Sequence, residues 1–144
     1  MKDLIQLGNN IKYLNDNYSR IIDVFIKSFE PDFIDIVQDQ LRRGYDGDGD
    51  RLAEYRSNSY AKFKKALGSI SSPIADLYAE GDFYDGMTMK GFDIISTDSK
   101  SAALQNKYGT AILDPDESTL DKFMIDQMIP EFEALIEKII MKGL

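Results

Sequence analysis

The sequence predicts an α+β fold: a long N-terminal helix, a small antiparallel sheet, and an amphipathic C-terminal helix or kinked helix pair. Apolar residues recur every three or four positions near the N-terminus, two short extended segments flank Lys90-Gly91, and apolar faces lie on both sides of Pro130. The 144 residues suit one domain, and no repeat, linker or low-complexity tract divides them. We therefore predict a single domain over residues 1–144.

The first third of the chain is predicted to form one helix. Its apolar seam is Leu4, Leu7, Ile11, Leu14, Tyr18, Ile21 and Phe25, widened by Ile5, Ile22 and Ile26. Glu30-Pro31 is predicted to end this helix, because a residue before proline is pushed out of the helical region. The seam is short and impure, which favours packing on the chain's own sheet over a coiled coil with another copy.

The segment after this break is rich in β-branched residues and is bounded by Pro31 and Gly44. It predicts a strand from about Phe33 to Arg42, with a helical continuation as the alternative.

An acidic loop follows, in which Asp46, Asp48 and Asp50 alternate with glycines like the start of a calcium loop. Arg51 stands where the sharp-turn glycine of such a loop belongs, and Ser57 stands where its bidentate glutamate belongs. The loop is therefore predicted to be a solvated turn without a metal.

Residues 52–67 are predicted to form a loop and then a short helix, with Lys62, Lys64 and Lys65 on a solvated face. Residues 68–73 contain glycine, serine and proline and are predicted to break it.

Two strands, Met87–Lys90 and Phe92–Thr97, are predicted to turn at Lys90-Gly91. A helix over Ser99–Tyr108 then ends at Gly109, the residue type that tolerates the left-handed conformation past a helix.

The C-terminal third is predicted to be helical, beginning with a capping box at Ser118 and Asp121. Its apolar faces are Leu120, Phe123, Met124, Met128 and Ile129 before the proline, and Phe132, Leu135, Ile136, Ile139 and Ile140 after it. Pro130 either starts a second helix or kinks a single one.

Composition excludes many kinds of chemistry. The chain has no histidine and no cysteine, so a Ser-His-Asp triad, imidazole and thiolate metal sites, thiol nucleophiles and disulfides are all absent. Asp82, Asp85 and Asp93 near one hairpin are the only carboxylate group that suggests a hydrolase, and no glycine loop has the lysine and strand context for phosphate. We predict a protein that is not an enzyme and needs no cofactor.

A net charge of −8 argues against specific nucleic-acid binding, which needs clustered Lys and Arg. A negative surface also lets DNA pass without sticking, so the chain could contact passing DNA. No apolar run is long enough for a signal peptide or for a membrane span, and no membrane partner is predicted.

The segment from Asp76 to Lys90 sets three aromatic residues and two glycines among acids, as a turn that presents aromatics to a partner. Asp82, Phe83 and Tyr84 are the predicted protein-interface residues. The alternative is that both rings are buried in the chain's own core.

Several short signatures follow one another in an order that resembles a group of small proteins of tailed bacteriophages and prophages of Bacteroides-type bacteria, including crAss-like phages. The matching residues are Gln40, Leu41 and Gly44; Asp46 to Gly49; Tyr55 and Tyr60; Leu77, Gly81, Phe83 and Tyr84; and Tyr108 and Gly109. The Leu-x-x-x-Gly-x-Phe element is also similar to the Thr-Gly-x-Leu feature of tail-completion and head–tail joining proteins, although Glu80 stands where threonine is usual. The resemblance covers about residues 33–142 and leaves the first helix out.

The resemblance implies a virion structural protein of the neck or tail, a connector that forms a ring around the DNA channel and is assembled in the bacterial cytoplasm. Its implied partners are other copies of itself and virion proteins such as portal or tail proteins. The alternative is a small acidic soluble protein that inhibits a host or phage factor. A carboxylate-and-metal hydrolase is a third hypothesis.

Overall fold

The computed structural model describes residues 1–79 and 81–144; Glu80, which departs from the resemblance above, lies outside the described residues. The elements are helices α1 (Lys2–Lys27), α2 (Glu30–Arg42), α3 (Asn58–Ala66) and α4 (Asp82–Asp85), strands β1 (Met87–Lys90) and β2 (Asp93–Ser96), helix α5 (Ser101–Tyr108), a 3₁₀ turn (Thr110–Leu113), helix α6 (Glu117–Phe123), a π-helical segment (Met124–Met128) and helix α7 (Ile129–Ile140). The predicted α+β class, with its long first helix, small antiparallel sheet and bent C-terminal helix, is confirmed.

The chain divides into two compact units. The helix-pair unit comprises Met1–Phe29 and Asp121–Leu144, and the central unit comprises Glu30–Leu120. That residues 1–144 form one domain stays a prediction.

In the helix-pair unit, α1 and α7 pack antiparallel. Asn10 near the start of α1 contacts the end of α7, while the rings of Phe25 and Phe132 lie 5.0 Å apart. The prediction that α1 packs on its own chain is right. The prediction that it packs on the sheet is wrong, because α7 is the element it packs against. A helix of 26 residues is about 39 Å long, whereas four-residue strands span about 13 Å and cannot cover its seam.

The predicted strand over Phe33–Arg42 is wrong, because these residues belong to helix α2. Phe33, Val37 and Leu41 are its buried apolar residues, and their spacing of four is the period of a helix rather than of a strand. The preceding helix ends at Lys27, and Pro31 falls in the first turn of α2, where a missing N–H costs nothing. The helical alternative is therefore what forms.

The predicted strand pair is confirmed. The strands β1 and β2 are antiparallel, with Met87 opposite Ser96 and a turn that includes Gly91 at φ 64°. The helix after them ends at Gly109, whose φ of 94° suits glycine, as predicted. The short helix predicted after the loop at residue 52 is α3.

The C-terminal helix runs without a break from Glu117 to Ile140 and carries the π-helical segment just before Pro130. Pro130 has no N–H to donate to the carbonyl of Asp126, so one hydrogen bond of the helix is missing there. A missing hydrogen bond at a proline and a π-helical segment are both known causes of a bend in a helix. A single kinked helix is therefore confirmed over two separate helices.

The predicted capping box at Ser118 and Asp121 is wrong, because both residues lie inside helix α6. Asp116 caps the helix instead: its carboxylate accepts bonds from the backbone N–H (2.9 Å) and the hydroxyl (2.8 Å) of Thr119. These bonds lower the pKa of the Asp116 carboxyl.

The core of the central unit is made by α2, α4, β1, the 3₁₀ turn and the loops between them. Its buried members are Val37, Leu41, Leu52, Ile74, Ala75, Phe83, Tyr84, Met87, Ile112 and Leu113.

Candidate functional site

The predicted interface residues Phe83 and Tyr84 lie in this core, with 4% and 2% of their surfaces exposed. Gly81, at φ 91°, turns the chain into the short helix α4, which directs both rings inward and leaves Asp82 exposed. The prediction that these two rings are presented at the surface is therefore wrong. The alternative, that both are buried in the chain's own core, is what the structure shows. A role for Asp82 in an interface stays a prediction.

Tyr84 belongs to a buried polar network around Asp76. The Tyr84 hydroxyl donates to the Asp76 carbonyl oxygen, and the Tyr55 hydroxyl donates to Asp76 Oδ1 at 3.0 Å. Burial, and after it the nearby Asp76 charge, raises the pKa of Tyr84. The pKa of Tyr55 is raised as well, first by burial. Both phenols therefore stay neutral at physiological pH and act as hydrogen-bond donors.

Lys64 supplies the charge that balances Asp76. Its Nζ lies 2.9 Å from Asp76 Oδ1, with both side chains at most 7% exposed, and it also donates to the carbonyl oxygen of Tyr78. Burial alone would raise the pKa of the Asp76 carboxyl, but bonds from Lys64 and from the Tyr78 N–H outweigh it and lower this pKa. A carboxylate with a low pKa and so many donors is a poor general base, so the network suits a structural role.

The prediction that Lys64 is solvated is wrong, whereas Lys62 and Lys65 are exposed as predicted. Helix α3 places Lys64 three residues after Ala61, and these two are its buried residues. Residues three apart lie on the same face of a helix, so the position of Lys64 relative to the small apolar Ala61 is the sequence signal for its burial. The neighbouring lysines Lys62 and Lys65 make this signal easy to miss.

In the acidic loop, oxygens of Asp46, Asp48 and Asp50 lie within 4.8 Å of one another. Asp46 Oδ1 accepts the backbone N–H groups of Asp48 and Asp50, both at 3.0 Å, which shapes the turn. Burial raises the pKa of the adjacent Asp114, and the charges of Asp48, Asp93 and Asp46 raise it further. That the loop is a plain turn without a metal stays a prediction.

The carboxylates considered for a hydrolase, Asp82, Asp85 and Asp93, are all exposed. Asp82 and Asp85 lie on α4, and Asp93 begins β2. That these three carboxylates take no part in catalysis stays a prediction.

The helix-pair unit has an unusual surface. Among its residues, all of which the structure describes, Asn10, Phe29 and Met128 are the buried ones. Large apolar side chains exposed on this unit are Met1, Leu4, Ile5, Ile11, Tyr13, Tyr18, Val24, Met124, Ile125, Ile129, Met141 and Leu144. Two packed helices bury one stripe each, and here the apolar faces are wider than that stripe.

Two concave regions mark this surface. A groove of about 820 Å³ runs between α1 and α7, with Val24, Leu135 and Ile139 in its walls. A second region of about 420 Å³ lies on α7 and on Met141, the residue after it, and includes Ile136 and Ile140.

Charged residues flank these regions with opposite signs. Arg20, Lys138 and Lys142 line the groove, whereas Glu133 and Glu137 line the region on α7. The sequence shows these charges, and the placement of α1 against α7 adds Arg20 to the lysines of the groove.

Comparison of the chain with protein-family models, curated proteins and solved structures found no match. Within residues 1–79 and 81–144, no helix is long and apolar enough to cross a bilayer.

Proposed function

We propose that this chain is a structural protein of a tailed-phage virion, a neck or tail component that forms a ring around the DNA channel. It acts by binding other copies of itself and neighbouring virion proteins, such as portal or tail proteins, and not as an enzyme. The order of signatures from Gln40 to Gly109 supports the phage assignment through the resemblance described above.

The helix-pair unit carries the proposal. Burying one large apolar side chain is worth about 1.5–3 kcal/mol, and this unit leaves many of them in water. A chain that works alone gains nothing from such a surface, whereas a subunit of an assembly buries it against its neighbours.

Charge is compatible with a position along a DNA channel. The net charge of −8 repels the phosphate backbone, so DNA would pass such a ring without adhering to it.

Inactivation of the gene in a phage that carries it tests the proposal. Electron microscopy of the lysate is expected to show heads and tails that are separate or incomplete, and a plasmid copy is expected to restore whole particles. Whole, infectious particles without the gene would contradict a structural role. They would favour the acidic inhibitor, which acts as a soluble protein outside the particle.

A further inference from the structure

We infer that copies of this chain join head to tail, with the lysine-flanked groove of one copy binding the glutamate-flanked face of α7 of the next. The groove surface is Arg20, Val24, Leu135, Lys138, Ile139 and Lys142, and the α7 surface is Glu133, Ile136, Glu137, Ile140 and Met141. The inference deepens the proposed function and rests on it for the expectation of a ring.

The charge pattern of α7 is the first argument. Glu133 and Glu137 are four residues apart on α7, so these like charges lie side by side on the helix. Lys138 lies near the end of α7 and Lys142 lies in the turn after it, and both line the groove as a second pair of like charges. Like charges at this spacing destabilise an isolated helix. None of these four side chains forms an ion pair within the part of the chain that the structure describes. A surface of opposite charge would turn both repulsions into attractions.

The match of spacing is the second argument. The two glutamates, four residues apart on a helix, are separated by about 6 Å along its axis. The two lysines are also four residues apart in the sequence, with Lys138 in α7 and Lys142 in the turn after it. Each pair borders apolar side chains, Leu135 and Ile139 beside the lysines and Ile136 and Ile140 beside the glutamates. The contact therefore has an apolar centre with charges at its rim, the usual arrangement of protein interfaces.

The position of α1 makes the contact head to tail. The Phe132 ring packs against Phe25 at 5.0 Å and against Tyr18 at 6.5 Å, so α1 covers the middle of the apolar stripe of α7. Two α7 helices cannot then face each other across that stripe. The two remaining surfaces differ from one another, and a contact between unlike surfaces generates a ring when it closes and a filament when it does not.

Charge reversal tests the pairing in the full chain, with the mass in solution measured by light scattering after size-exclusion chromatography. The wild type is expected to form an assembly of more than two copies. Lys138→Glu/Lys142→Glu and Glu133→Lys/Glu137→Lys are each expected to raise the dissociation constant at least about tenfold, which is 1.4 kcal/mol. The chain that carries all four reversals is expected to assemble again, because the groove then carries the two glutamates and the α7 surface carries the two lysines.

Lys62→Glu/Lys65→Glu is the matched control for the lysine variant, since it reverses two exposed lysines of the central unit and changes the net charge by the same amount as Lys138→Glu/Lys142→Glu. It is expected to leave the mass unchanged. Far-ultraviolet circular dichroism should show the same helix content in every variant.

A monomeric or dimeric wild type would overturn the inference, as would unchanged assembly of both charge-reversed pairs or no assembly of the fourfold variant. These masses test the contact alone. A virion protein whose variants fail this pattern would keep its proposed place in the particle and lose the head-to-tail contact.

Discussion

The side chain of Asn10 closes the end of helix α7 by donating a hydrogen bond to the carbonyl oxygen of Ile140 at 2.7 Å. Its Nδ2 also donates to the carbonyl oxygen of Lys142 at 2.8 Å. The last carbonyls of a helix have no partner within the helix, and α1 supplies one here. Gln6 donates to Asn10 Oδ1 at 2.9 Å and so orients the amide. These bonds fix the register of the two antiparallel helices.

Asn10→Ala is therefore expected to lower the free energy of unfolding by about 1–2 kcal/mol, because two hydrogen bonds to carbonyl oxygens are lost. Asn9→Ala is the control, since Asn9 is exposed on the same helix and gains the same helix propensity. Urea denaturation followed by circular dichroism measures both. Equal effects of the two substitutions would show that the bonds to Ile140 and Lys142 contribute nothing.

Lys64→Met is expected to be among the most destabilising substitutions in the central unit. It leaves the buried Asp76 carboxylate without its cation, which costs about 3–5 kcal/mol in comparable buried pairs. Lys65→Met, on the exposed face of the same helix, is expected to stay within about 0.5 kcal/mol of wild type. Urea midpoints that shift alike in both variants would contradict the ion pair.

The same pair predicts how stability depends on pH. The pKa of Asp76 is lowered in the folded chain, so its contribution is fully present above the unfolded value of about 3.9. That contribution is lost as the pH falls through the folded value. On acidification from about pH 7 to 2, wild type is expected to lose more stability than Lys64→Met/Asp76→Asn, which lacks this linkage. Parallel losses in the two proteins, measured by urea denaturation at each pH, would refute the assignment.

Phe83→Ala is expected to unfold or strongly destabilise the central unit, with a loss of about 3–5 kcal/mol, because its ring is buried. Asp82→Ala is expected to change stability by less than about 0.5 kcal/mol, since Asp82 is exposed. Thermal unfolding and solution mass distinguish core from interface. A Phe83→Ala protein that stays folded but no longer assembles would restore the interface hypothesis for this ring.

Local patterns in the sequence were sufficient where neighbouring residues decide the structure. The strand pair around Gly91 and the helix end at Gly109 depend on backbone conformations that glycine tolerates, and both are where the sequence predicts them. The bend at Pro130 has the same local origin.

The sequence misleads where the type of a residue and its spacing point to different structures, or where tertiary contacts decide. Ile34, Ile36 and Val37 suggest a strand by composition, yet Val37 and Leu41 are buried four residues apart in a helix. Lys64 is buried beside Asp76, which lies beyond the predicted breaker segment in the sequence and neutralises its charge. The two charged surfaces of the helix-pair unit depend on bringing residues near 20 and near 138 together, which no local pattern predicts.

Quantitative mass spectrometry of purified phage particles tests the central claim most directly, by comparing the copy number of this chain with that of the portal protein. The proposed ring predicts that the chain is present in every preparation at a constant ratio to the portal, whatever the purification. Absence from particles, or a ratio that falls with each purification step, would contradict a virion role.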